Sequence, residues 1–90
     1  MVTFTVPPQL QPLAQGQKVL ELSAVTLGEA FARLDEAAPM LRSQILDASG
    51  RTRRFVGLFV DGKQVMGLGD GYRPLAEQSR ISVVLAVAGG

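Results

Sequence analysis

The chain has 90 residues, 47% of them hydrophobic, and this length leaves room for one domain with one core. It contains neither Cys nor His, which excludes disulfides, thiol nucleophiles, zinc sites with soft ligands and imidazole bases. Nine basic and eight acidic residues are mixed along the chain and give a net charge of +1, so electrostatics provide no case for binding nucleic acid or an anionic membrane.

The N-terminal part predicts two strands. Residues 2–6 alternate apolar with polar side chains, and Pro7-Pro8 ends this strand because proline lacks the N–H that a ladder needs. Residues 9–17 contain proline and glycine and are predicted as a loop or wide hairpin turn. Residues 19–22 form the second strand, for which antiparallel pairing with the first is the simplest arrangement. From the first strand, Val2, Phe4 and Val6 are expected to face the core. From the second strand, either Leu20 and Leu22 or Val19 are expected to face it.

A helix is the clearest local signal. Thr26-Leu27-Gly28-Glu29 has the form of a capping box, in which the Thr26 side chain bonds the N3 amide and Glu29 reaches back to the Thr26 amide. Pro39 ends the helix, because proline disfavours the helical conformation in the residue before it. A second short helix is predicted at 40–46, and a turn at 47–50. The apolar stripe of the first helix is Leu27, Ala30, Phe31, Leu34 and Ala38.

The C-terminal half predicts three more strands. The third, 55–60, places Phe55, Gly57 and Phe59 on one face and the intervening residues on the other. Asp61-Gly62 favours a type I′ hairpin into a short strand at 63–65. An irregular glycine-rich loop, with one helical turn at 74–77, leads to the last strand, 81–85. The residues of that strand expected on the buried face are Ile81, Val83 and Leu85.

This order of elements predicts an α+β fold, with a mixed sheet and one main helix packed on one face. It resembles the β-grasp, or ubiquitin-like, fold, in which the first and last strands lie side by side and parallel. We expect one domain over residues 1–90, with a flexible tail at 87–90.

Two glycines, Gly89 and Gly90, end the sequence shortly after the last strand. Glycine has no side chain to pack, so a glycine end contributes little to a fold but can pass through a narrow channel of a partner. We expect Val87 and Ala88 to lead these glycines away from the domain. A frayed end without function is the alternative.

The whole chain resembles the ThiS/MoaD family of ubiquitin-like sulfur carriers, to which the molybdopterin synthase small subunit and the thiamine-pathway carrier belong. The resemblance rests on the Thr26-Leu27-Gly28-Glu29 helix start, the Arg54-Phe55-Val56 strand and the Ala86-Val87-Ala88-Gly89-Gly90 end. The last two motifs are most similar to carriers that supply sulfur for cysteine synthesis in actinobacteria. Leu85-Ala86-Val87-Ala88 replaces the aromatic and proline residues usual in the molybdopterin subunit, which disfavours the molybdenum pathway.

The resemblance implies that Gly90 is modified and that the chain is a protein co-substrate, not an enzyme. An E1-like, ATP-dependent enzyme would adenylate the Gly90 carboxylate, and a sulfide donor would convert it to a thiocarboxylate. The chain has no G-x-x-x-x-G-K-[ST] motif, so the partner would use the ATP and the chain itself would hold no cofactor and no metal. The implied sulfur acceptor is a cysteine-synthase-like enzyme. A zinc metalloprotease is a further expected partner if Gly90 becomes the terminus only after an extension is removed.

Phe55 and Phe59 are the candidate residues for docking a partner. They lie on the outer face of the sheet if Val56, Leu58 and Val60 touch the helix, and an exposed apolar patch there would be a binding surface. In the alternative, the loop after Gly67 shields Phe55, or the two faces are inverted. The basic cluster Arg51, Arg53 and Arg54 is either a contact for an acidic partner or a solvated loop.

Three other functions stay open at this point: a molybdopterin synthase small subunit, a ubiquitin-like modifier joined to lysine through Gly90, and a non-catalytic interaction domain. The sequence opens with no charged segment followed by an apolar one, and no apolar run approaches the length of a membrane span. We therefore expect a cytoplasmic protein that is monomeric when free.

Overall fold

The structure is a computed structural model that describes residues 1–69 and 71–86. The strands are β1 (Val2–Thr5), β2 (Val19–Leu22), β3 (Val56–Val60), β4 (Lys63–Val65) and β5 (Arg80–Leu85). The helices are a 3-10 helix (Pro8–Ala14), α1 (Leu27–Ala37) and α2 (Pro39–Ile45). In the part of the chain that the structure describes, no helix is long and apolar enough to cross a membrane.

The strands form one mixed sheet in the order β2-β1-β5-β3-β4. The central strand β5 runs parallel to its neighbour β1, and every other neighbouring pair is antiparallel. The first and last strands therefore lie side by side, as the β-grasp resemblance implies. The hairpin between β3 and β4 also has the predicted form, since Asp61 (φ 50°) and Gly62 (φ 83°) both have positive φ.

One face of the sheet carries the core, and α1 packs on it. The predicted helix stripe is buried in full, as are Val2, Phe4 and Val6 before it. Phe4 of β1 meets Phe31 of α1 edge to face, with ring centroids 5.9 Å apart at 89°. On β3, Leu58 is fully buried on the same face, so the predicted assignment of its two faces is confirmed.

Two segments differ from the sequence-based prediction. Residues 9–17 are not a plain loop, because Pro8–Ala14 form a 3-10 helix. Pro8 fixes the φ of the first turn, and Leu10 and Ala14, four residues apart, are buried. The helical turn predicted at 74–77 is absent, since Leu75 instead donates its N–H to the Val25 carbonyl at 2.9 Å.

The start of α1 is fully hydrogen-bonded. Thr26 Oγ1 accepts from the Glu29 amide at 3.2 Å, which confirms half of the capping box. The other half was predicted wrongly, because Glu29 Oε1 accepts from the Val25 amide at 3.1 Å, one residue before the cap. The first two helical amides, of Leu27 and Gly28, donate to the carbonyls of Arg73 and Gly71. The loop before β5 therefore caps this helix, and no amide there is left to bind an anion.

Candidate functional site at the end of the last strand

The residues predicted to be modified or to give access, Gly90, Gly89, Ala88 and Val87, lie outside the described residues. Ala86 is the last residue that the structure describes before them, and it directly follows β5. The position of Ala86 therefore locates the part of the surface from which the predicted tail continues.

The backbone holds Ala86 at a defined point. Its amide donates to the carbonyl of Phe55 at 2.8 Å. This bond extends the β3–β5 ladder one step beyond the pair Val56 and Leu85. Since β5 is a central strand of the sheet, the position of Ala86 is set by the core of the fold.

Phe55 has an unusual conformation for its residue type. It was predicted as the first residue of the third strand, but β3 begins at Val56 and Phe55 lies in a turn. The Val56 amide donates to the Arg53 carbonyl at 3.1 Å, and Phe55 has φ 66°. These are the features of a type II turn, whose third position normally takes Gly or Asn. Phe55 is 49% exposed, so the loop after Gly67 does not shield it.

The same turn is anchored to α2. Arg53 Nε donates to the Ser43 carbonyl at 2.6 Å, and the Arg53 amide donates to the Ile45 carbonyl at 2.9 Å. These two bonds satisfy carbonyls near the C-terminus of α2. Of the three arginines in the predicted basic cluster, Arg53 therefore has a structural role.

Phe59 lies on the outer face of the sheet, as predicted. Its Cε1 atom is 3.1 Å from the position that a Cβ on Gly57 would occupy, so the ring lies along the strand over this glycine. Gly57 pairs with Val84 on β5, and Val84 is 55% exposed. Phe59 and Val84 thus place apolar groups on neighbouring strands of the outer face. We call Phe55, Phe59 and Val84 the exit surface.

Sequence reasoning missed Val84, although a signal was present. The strand alternates, with Ile81 and Val83 buried and Ser82 facing outward opposite Phe59. Val84 is an apolar residue at a position that this alternation assigns to the outer face. An apolar residue out of phase in a regular strand was therefore the available clue.

The opposite end of β5 is held by a second set of bonds. The Asp61 carboxylate accepts from the Arg80 amide and from Ser79 Oγ, both at 2.8 Å. These two hydrogen bonds, the backbone one first, lower the pKa of Asp61 below its ordinary value. Ser79 is buried, and its Oγ also accepts from the Ala76 amide at 2.8 Å. The strand that leads to Ala86 is therefore fixed at both ends.

The described residues contain neither a metal-ligating cluster nor an unpaired buried polar side chain. Within 1–69 and 71–86, no three acidic side chains come together in a way that could hold a metal ion. Polar side chains buried in that part of the chain all have hydrogen-bond partners.

Comparison with known proteins gives a full-length match. The chain is 31% identical over 91 residues to the sulfur carrier protein CysO of Mycobacterium tuberculosis and to that of Mycobacterium bovis, covering 99% of this chain and 98% of each relative. Comparison with models of protein families gives no match.

Solved structures show the same fold. The crystal structure of Mycobacterium tuberculosis CysO has a TM-score of 0.82 at 28% identity and covers 97% of this chain and 100% of that one. CysO in the Amycolatopsis orientalis BexX/CysO complex has a TM-score of 0.82 at 18% identity, with both chains covered fully. SAMP1 of Haloferax volcanii has a TM-score of 0.76 at 18% identity, over 99% of this chain and 98% of that one. The last two are similarities of fold alone.

Proposed function

The chain belongs to the family of CysO sulfur carrier proteins, and we propose that it carries sulfur as a thiocarboxylate at Gly90. The observation that carries this proposal is the position of Ala86, which is bonded at the end of a central strand beside the exit surface. Gly90 follows Ala86 by four residues. A carrier needs this combination of a rigid body and a chain end that a partner can take up.

Sulfur loading takes two steps. A Gly90 carboxylate oxygen attacks the α-phosphorus of ATP, which forms the acyl-adenylate and releases pyrophosphate. Hydrosulfide, or a donor equivalent to it, then attacks the acyl carbon; the C–S bond forms as the C–O bond to AMP breaks, and AMP leaves. The product is the thiocarboxylate. A carboxylate itself is a poor electrophile, so adenylation is what makes the acyl carbon reactive.

The chain brings no catalytic group to these steps. It has neither Cys nor His, and no phosphate-binding loop motif. An E1-like activating enzyme therefore binds the ATP and supplies the adenylation machinery, and the carrier is its protein co-substrate. The buried polar side chains of the described residues all have hydrogen-bond partners, which fits this assignment of roles.

The short distance between the body and Gly90 requires the partner to touch the body. Four residues of about 3.3–3.6 Å each span at most about 14 Å. An active site that encloses Gly90 must therefore come within that distance of Ala86, where Phe59 and Val84 present their apolar groups. We assign these two residues to the docking surface for the activating enzyme. The CysO of Amycolatopsis orientalis, crystallised in a complex with BexX, supports partner binding by a carrier of this fold.

Sulfur delivery uses the nucleophilic sulfur of the thiocarboxylate. It attacks an electrophilic carbon of the acceptor's substrate; the C–S bond forms as the bond from that carbon to its leaving group breaks, and the product is a thioester. Water then attacks the acyl carbon and the acyl–sulfur bond breaks, which leaves sulfur on the product and returns the Gly90 carboxylate. We infer that the acceptor is a cysteine-synthase-like enzyme, because the relatives that match over the full length are CysO carriers.

Intact-mass spectrometry tests the proposal. The protein, incubated with its activating enzyme, ATP and sulfide, should gain one oxygen-to-sulfur exchange, confined to the C-terminal peptide. Deleting Gly90 should abolish the exchange while the circular dichroism spectrum stays unchanged, because every buried hydrophobic residue of the described chain precedes Ala86. A wild-type mass that never changes under these conditions would sink the proposal.

A further inference from the structure

We propose that the Phe55 ring is an anchor for the activating enzyme, and that its left-handed backbone conformation is kept because it presents this ring beside Ala86. The inference rests on the proposed function and names Phe55 as a positioning residue for the loading reaction. The geometry of the turn, the exposure of the ring and the short reach of the tail carry it.

The backbone conformation is unfavourable for the residue that occupies it. A left-handed φ of 66° brings the Cβ of an L-residue close to its own carbonyl oxygen, and for a bulky side chain it is an outlier. Among the other described residues, positive φ falls on glycines, such as Gly16, Gly50 and Gly62, and on the polar residues Gln15 and Asp61. Conformations of this kind persist where the surroundings impose them, and they cluster at functional sites.

Packing does not explain the choice of Phe. Among the described residues, Phe55 belongs neither to the buried core nor to the partly buried hydrophobic residues packed against it. Its one ladder bond, to Ala86, uses the main-chain carbonyl, which any residue would supply. Glycine would make the same turn and the same bond without strain. Phe55 is 49% exposed, so a large part of the ring is available to a partner.

The position of the ring indicates its partner. The turn is fixed to α2 through Arg53, so Phe55 stands at a constant place next to Ala86. An enzyme that encloses Gly90 must approach within about 14 Å of this place, as chain length dictates. A half-exposed aromatic ring at the centre of such a contact is the kind of residue that anchors interfaces. Arg54, exposed beside it, favours an acidic rim on the enzyme.

A matched pair of variants distinguishes the effect of losing the ring from the effect of changing the turn. Phe55→Ala and Phe55→Gly both remove the ring, but only the glycine relieves the left-handed strain. We expect the glycine variant to be the more stable of the two in urea unfolding. We also expect both variants to raise the KM for the carrier by a similar factor, about tenfold or more, with kcat little changed.

Val25→Ala provides the control. Val25 is exposed, and it lies at the opposite end of the sheet, because β2 runs antiparallel to β1 while β5 runs parallel to it. The sulfur-loading kinetics of the Val25→Ala variant should equal those of wild type. A Phe55→Gly variant with the KM of wild type would overturn the inference, because the turn without the ring would then be sufficient for binding the enzyme. A wild-type protein that takes up no sulfur would instead refute the proposed function.

Discussion

At the scale of single residues, Asp61 both adopts the left-handed turn conformation and accepts two hydrogen bonds with its carboxylate. It occupies a left-handed position in the β3–β4 hairpin, with φ 50°, where Asp, Asn and Gly are tolerated. Its two carboxylate oxygens accept separate hydrogen bonds, from the Ser79 hydroxyl and the Arg80 amide. The hairpin is thereby tied to the start of β5, the strand that ends at the exit surface.

This bonding predicts a pH dependence for Asp61→Asn. The folded-state pKa of Asp61 lies below its ordinary value, so the ionised form stabilises the fold above about pH 4, and this contribution disappears as the pH falls through the folded pKa. Asn keeps the turn and one acceptor, but its amide nitrogen cannot accept from the Ser79 hydroxyl. The variant should be less stable than wild type near neutral pH, and the difference should shrink in acid.

Urea unfolding at about pH 7 and at about pH 3 measures this difference. Asp35→Asn, on the exposed side of α1, controls for the loss of one negative charge. A gap between wild type and Asp61→Asn that is the same at both pH values would show that the ionised carboxylate is not the stabilising form.

At the scale of elements, the contact between α1 and the loop before β5 explains the glycine in the helix-start motif. A Cβ on Gly28 would lie 2.8 Å from the carbonyl oxygen of Gly71 and 3.0 Å from the Cα of Gly71. The Gly28 amide itself donates to that carbonyl at 3.0 Å. The glycine is required by the close approach of two backbones, which also supplies the cap of the helix.

Gly28→Ala should therefore destabilise the protein although alanine favours helices. Helix propensity gains up to about 1 kcal/mol, but forcing an extra methyl against a backbone costs about 1–3 kcal/mol, so we expect a net loss of about 1–2 kcal/mol. Urea unfolding gives the value, and faster hydrogen exchange at the Leu27 and Gly28 amides should accompany it. Asp35→Ala, in the same helix without a close neighbour backbone, should be neutral or slightly stabilising. A Gly28→Ala variant as stable as wild type would contradict the steric argument.

The same contact shows where sequence reasoning succeeds and fails. Strand faces, the helix stripe and the Asp61-Gly62 hairpin depend on local periodicity and turn chemistry, and these were predicted correctly. The 3-10 helix at 8–14 was missed because its prolines and the following Gly16 look like loop signals, whereas its stability comes from burying Leu10 and Ala14 near α2. The left-handed Phe55 was missed for a similar reason, since a bond from Arg53 to the Ser43 carbonyl fixes its turn. Such tertiary contacts leave no local pattern.

At the scale of the whole molecule, the two faces of the sheet have different tasks. The inner face holds Phe4, Leu58 and Ile81, all fully buried, and provides the stability that a small domain needs. The outer face near Ala86 holds Phe59 and Val84, which the fold leaves partly or largely exposed. Stability and partner binding should therefore respond to different substitutions, although both faces belong to the same strands.

Phe4→Ala and Val84→Thr test this separation. Phe4 is buried against Phe31, and its truncation should cost about 3–5 kcal/mol, a large part of the roughly 5–15 kcal/mol available to a typical domain. Val84→Thr keeps a β-branched shape at an exposed strand position, so it should change the free energy of unfolding by no more than about 0.5 kcal/mol. It should nevertheless raise the KM for sulfur loading several-fold, because the docking surface loses an apolar group.

The matched control makes the same substitution elsewhere. Val25→Thr also exchanges an exposed valine, at the end of the sheet away from Ala86, where Thr26 pairs with Pro74. Its stability and loading kinetics should match those of wild type. Equal KM values for Val84→Thr and Val25→Thr would remove Val84 from the docking surface. A large loss of stability in Val84→Thr would show instead that the outer face also supports the fold, because the exposed side chain would then be holding β5 against β3.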